Sequence, residues 1–64
     1  MTKDNYLAAA RQMEVYGGSF ASRIAQAYFY ADSTNQRKLL EAFGDLFERY
    51  YREFVLPAKH ALED

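Results

Sequence analysis

The stretch EVYGGSFASRIAQAYFYAD, residues 14–32, decides the fold, because two adjacent glycines interrupt an otherwise helix-compatible run of aromatics and alanines. A glycine pair lets a chain reverse, and Gly17 stands where a left-handed C-terminal cap is wanted. Upstream, Thr2 or Asp4 can cap a first helix in which Tyr6, Ala9, Ala10, Met13 and Tyr16 recur on one stripe. Downstream, Ser19 can cap a second helix, with Phe20, Ile24, Ala27, Tyr28 and Ala31 on one line. A second apolar line of Ala21, Ala25 and Phe29 lies beside it. Such a helix packs on two sides, either as the middle of three or against a second subunit through its alanines.

The turn-rich ADSTNQ run ends that helix, and Ser33 with Gln36 stands at capping-box spacing for a third. Leu39, Leu40, Phe43, Leu46, Phe47, Tyr50, Tyr51 and Phe54 share one face of it, while charged residues hold the other. The phase does not slip at Gly44, which favours one helix from about Thr34 to Val55, with a kink at Gly44 as the alternative. Such a helix is ~33 Å long against ~20 Å for each of the first two, so a short hairpin leaves one end of it uncovered. The expected fold is all-α: a small bundle of three helices at about 4–16, 20–31 and 34–55, completed by self-association. Residues 1–56 make one helical domain, and 57–64 read as a loose tail that Pro57 introduces.

Composition narrows the function. The chain has 64 residues with no cysteine and one histidine, so it offers neither a disulfide framework nor a thiolate metal site. Domains this small bury only about 60% of the surface that their unfolded chains expose, which makes self-association an expected source of stability. Eight basic residues against nine acidic ones give a formal charge of −1, the footprint of neither a polyanion binder nor a nucleic-acid mimic. MTKDN has no apolar leader core, and no stretch approaches the ~20 apolar residues of a membrane span, so the chain reads as cytoplasmic. The outlier is aromatic content, six Tyr and five Phe without Trp: filling a small core explains most of these rings, but the chain is too short to bury them all well. The uncovered end of the third helix, with Tyr50, Tyr51 and Phe54, joins Phe29 and Tyr30 as the expected interaction surface.

Chemistry is sparse by comparison. GGS before a helix, with Arg23 one turn on, could offer amides to a phosphate, yet it lacks the strand and lysine of a phosphate loop. Ser19 and Ser22 have no histidine in their segment, and His60 falls in the tail. Glu41, Asp45 and Glu48 share a helix face, but Asp45 with Arg49 and Glu48 with Arg52 read as ordinary solvated pairs. A di-metal bundle needs a Glu-x-x-His pair, which the sequence does not contain. No catalytic residue, cofactor or metal site is expected. A helix-turn-helix reading, with Arg23, Arg37 and Lys38 on phosphates, puts Glu14 where that motif wants a small residue. Acidic residues also interrupt any basic stripe on the third helix.

The run YGGSFASRIAQAYFYADSTNQRKLLEAFGDLFERY, Tyr16 to Tyr50, resembles a group of small uncharacterised helical proteins encoded by bacteriophages and prophages. The YGGSF joint, the AD before a polar turn, and AF followed by LF and Tyr carry the resemblance. In that group the position of Gly44 is often proline, which implies a break and a separate last helix. The resemblance implies no established activity. It implies an accessory protein in an infected bacterium, where such chains bind and redirect or inhibit a host protein. The leading expectation is a non-enzymatic protein-interaction module that meets a second copy of itself or a host protein. The alternative is a small nucleic-acid-binding regulator using Arg23, Arg37 and Lys38.

Overall fold

Thr2 starts the first helix: its hydroxyl accepts from the Asn5 amide at 3.2 Å, and α1 runs Lys3–Tyr16. The computed structural model describes residues 1–58; the remaining tail, His60 included, lies outside the described residues. One residue separates α1 from α2, Gly18–Tyr30. The two glycines divide the work of that joint differently from the expectation. Gly17 is right-handed, with φ −85°, and its amide closes α1 on the Met13 carbonyl at 2.9 Å. Gly18 is the left-handed residue, with φ 65°. What holds Gly17 to glycine is proximity, since a Cβ there would fall on the Met13 carbonyl oxygen and 2.6 Å from the Ala21 Cβ. Ser19 does not cap α2, which begins one residue earlier with no side-chain cap.

This joint folds α2 back along α1, so that Tyr6 and Tyr28 line one recess at the far end while Met13 and Ala21 meet at the near end. The seam between them is made of small residues: Ala9, Ala10 and Met13 on α1 face Ala21 and Ala25 on α2, all buried. Small side chains allow backbones to approach closely, and here they bring the alanine line of α2 inward. That corrects the expected stripe, because Phe20 and Ala27 are exposed and Tyr28 alone of that line is fully buried. The alanines face α1, which leaves them no second subunit to meet.

The third helix, α3, spans Ser33–Tyr50, with Asp32 rather than Ser33 as its cap; the Asp32 carboxylate accepts from the Asn35 amide at 2.8 Å. Gln36 does not close a capping box. It donates instead to the Tyr28 carbonyl at 3.0 Å, tying α3 to the end of α2. The third helix is not the unbroken rod that its phase favours: it bends, as in the alternative reading, but one residue before Gly44, at Phe43, with φ −126° and ψ 17°. Glycine weakens a helix by about 1 kcal/mol relative to alanine, so the bend sits where it costs least. It also ends the mismatch in length, because a bent α3 can lay Phe47 into the hairpin. Phe47 is fully buried, 6.1 Å edge-to-face from Tyr6 and 5.1 Å from Tyr28. Leu39, Leu40, Leu46, Tyr50 and Tyr51 pack around that cluster.

After Tyr50 the helix widens into a π turn, Tyr51–Val55, closed by the Leu56 amide on the Tyr51 carbonyl. A π turn takes up one extra residue and resets the phase of whatever follows. Val55 therefore takes the buried position and Phe54 rotates to the edge, against the single face expected through Phe54. Pro57 and Ala58 sit in a last helical turn, exposed.

Two outcomes follow. Gly17→Ala should cost about 1–3 kcal/mol in urea unfolding through overpacking, whereas Gly44→Ala, with open space around it, should stabilise by about 0.4–1 kcal/mol. Burial raises the Tyr28 phenol above its ordinary value of 10.0, with Tyr6 adding to the effect. The unfolded chain then ionises first, so the contribution is complete below pH 10 and falls away as pH rises beyond it. Tyr28→Phe should flatten that alkaline loss in thermal melts recorded from neutral to alkaline pH.

Candidate functional site

The rings that the seam excludes gather at the glycine end of the hairpin. Tyr16 ends α1 and is 62% exposed; Phe20, in the first turn of α2, is 61% exposed. Val15, one residue before Tyr16, is 71% exposed. Helix geometry explains the grouping, because α1 and α2 exchange direction between Tyr16 and Phe20 and both rings project from the turn itself, beyond the seam. Tyr16 stacks on Phe54 at 5.1 Å and 7°, and Phe54 stacks on Tyr50 at 5.4 Å and 18°. The π turn makes this ladder, since it is what swings Phe54 out of the core and against Tyr16. Phe20 rests edge-on against Phe43, the bent residue of α3, at 5.7 Å and 71°. Its other face is open.

This arrangement divides the five expected surface residues. Phe54 is on the surface, 37% exposed, and Tyr50 is its half-buried support. Tyr51 is half-buried against the core. Phe29 and Tyr30 are exposed, Tyr30 at 91%, but at the far end of α2, about 15 Å along the helix from Phe20. They do not join the patch. Val15, Tyr16 and Phe20 are exposed at the glycine end, whereas helical periodicity puts Tyr16 and Phe20 on apolar stripes and gives Val15 no place in them. The signal that could have found them is their position: three apolar side chains flanking a reversal of a single residue lie past the length over which two helices face each other.

Electrostatics add little here. The described residues hold seven basic and seven acidic side chains. Arg49 pairs with Glu53 at 3.4 Å in place of the expected Asp45 and Glu48 pairs, and such an exposed pair is worth at most about 0.5 kcal/mol. Arg23 reaches Gln26 at 3.3 Å on α2, while Arg37 lines a recess between α1 and α3 with Lys3; Lys38 is exposed on α3. Among the described residues no three His, Cys, Asp or Glu side chains converge, and no helix is long and apolar enough to cross a membrane.

Comparison with protein-family models, curated proteins and solved structures finds no match to this chain. The surface must therefore be understood from its own physics.

A ring that serves the surface and a ring that serves the core differ in what their removal costs. Phe47→Ala should lose about 3–5 kcal/mol in chemical denaturation, the loss typical of a buried Phe. Phe54→Ala should lose no more than about 1.5 kcal/mol, the upper value of an aromatic pair.

Proposed function

We propose that this chain is a non-enzymatic protein-interaction module that works through its aromatic helical surface, and that its first partner is a second copy of itself. The observation that carries the reading is the stack of Tyr16 on Phe54, left open to water, with Val15 and Phe20 exposed on either side of the same glycine joint. Contiguous apolar surface on a small monomer marks an interaction site, and Tyr and Phe dominate the centres of such sites. Their rings also carry large contact area with only two rotatable side-chain bonds to immobilise. A domain of this size has few other ways to gain stability, since eight side chains make up its fully buried core among the described residues.

The resemblance to small phage-encoded proteins adds context to this reading: an accessory factor inside an infected bacterium, whose aromatic face binds and inhibits or redirects a host protein. Self-association and host binding then compete for one surface, or use it in turn.

Light scattering across a dilution series, at low and high salt, tests the proposal. A dimer that persists in high salt is expected, because apolar burial does not screen. The pair Tyr16→Ser and Phe20→Ser should return it to a monomer with unchanged helical circular dichroism. A wild-type monomer at every concentration would remove self-association and leave a bacterial protein as the partner to be sought. Dissociation by salt alone would remove the aromatic surface as its basis.

A further inference from the structure

At the opposite end of the hairpin from the aromatic surface, α1 and α3 begin side by side around a recess of about 290 Å³. That volume falls just short of the range of about 300–1,000 Å³ typical of drug-sized ligand sites, so only a small ligand fits. Two cations rim it, Lys3 at the start of α1 and Arg37 one turn into α3. Neither makes an ion pair among the described residues. Ser33, the first residue of α3, and Gln36 add a hydroxyl and an amide, and the Gln36 amide is fixed by its bond to the Tyr28 carbonyl. Leu40 and the rings of Tyr6 and Tyr28 supply the apolar part.

We propose that this recess binds a small organic oxyanion, a phosphate or carboxylate group carried on a flat apolar body. Three independent features agree on that chemistry. The charge is of one sign: no acidic residue lines the recess, and of the two nearest in sequence, Asp32 spends its carboxylate on the cap of α3 and Asp4 lies outside the lining. The backbone agrees with the side chains, since two helix N-termini, each carrying a partial positive charge, open at the same place. Tyr28 supplies the third feature. It is 2% exposed, and its hydroxyl makes no hydrogen bond to a described residue. Yet no enclosed side-chain oxygen among the described residues lacks a partner, so the hydroxyl is the part of Tyr28 that opens on the recess. A hydroxyl donor that opens on a recess rimmed by two cations has an anion as its natural complement. The ring walls and Leu40 select an anion with an apolar body over a bare one.

The test is an NMR titration of the full chain at physiological salt with three probes: phenyl phosphate, benzoate and inorganic phosphate. Saturable shifts are expected at Lys3, Tyr6, Tyr28, Arg37 and Leu40, with at least one aromatic anion binding more tightly than inorganic phosphate. The order of phenyl phosphate and benzoate then tells which oxyanion the site prefers. Arg37→Gln and Lys3→Gln, both exposed and safe for folding, should each weaken binding about tenfold, the loss of one charge-assisted hydrogen bond. Tyr28→Phe should weaken it with circular dichroism unchanged. Shifts that never saturate, or that appear equally at Arg11, Arg23 and Arg49, would overturn the proposal. So would binding unaffected by both cation variants. Tyr16→Ser with Phe20→Ser lies at the other end and should leave the titration unchanged, which separates this outcome from that of self-association.

Discussion

The close approach of α1 and α2 at Gly17 is the constraint on which the rest of the molecule depends. With no room for a Cβ between the Met13 carbonyl and Ala21, the seam admits only alanines and the flexible Met13 along its length. A seam of small residues buries little apolar area per residue, at roughly 25 cal/mol per Å². It therefore cannot stabilise a hairpin alone. The rings have to be buried elsewhere, and the groove that Tyr6 and Tyr28 form beneath Phe47 is the one place where the hairpin accepts them. Eleven aromatic residues compete for a groove that fully encloses two of them, Tyr28 and Phe47. The surplus at the surface is a consequence of the tight joint.

The departures of α3 from a straight helix serve the same constraint. A straight rod carrying all of its apolar residues on one face would overhang a hairpin about 20 Å long. The bend at Phe43 sets Phe43 against Phe20 and Phe47 into the groove, and the π turn then shifts the remaining positions by one. Each break trades regular backbone geometry for a side-chain contact: Phe43 with Phe20, Val55 with the interior, Phe54 with Tyr16.

Much of this was legible in the sequence, and the parts that were not share a cause. Three helices, the cap at Thr2, the turn at ADSTNQ and the weak point near Gly44 all depend on local chemistry, and local chemistry is what a sequence displays. The aromatic composition likewise pointed to rings on the surface. Which rings was another matter. Between the two apolar lines of α2, periodicity has no preference; the alanine line turns inward because of Gly17, a contact across the hairpin. The exchange of roles between Gly17 and Gly18, the choice of Asp32 over Ser33 as cap and the phase reset at the π turn are likewise settled by what the chain meets in three dimensions. Phe29 and Phe54 lie on comparable apolar stripes, yet the hairpin carries them to opposite ends.

The same geometry makes the molecule two-ended. At the glycine end the helices stop facing each other before their apolar residues run out, so that end is aromatic. At the other end α1 and α3 both begin, so that end gathers two helix N-termini, Lys3 and Arg37 around a buried tyrosine. Stability alone accounts for part of the aromatic end, because Phe54 covers Tyr16 and supports the π turn. It does not account for Val15 or for the open face of Phe20, which stay largely exposed. A chain under selection only to fold could carry polar side chains at both positions without disturbing the seam. Their apolar character is therefore the feature that stability leaves unexplained, and it is what the proposed contact with another protein surface rests on.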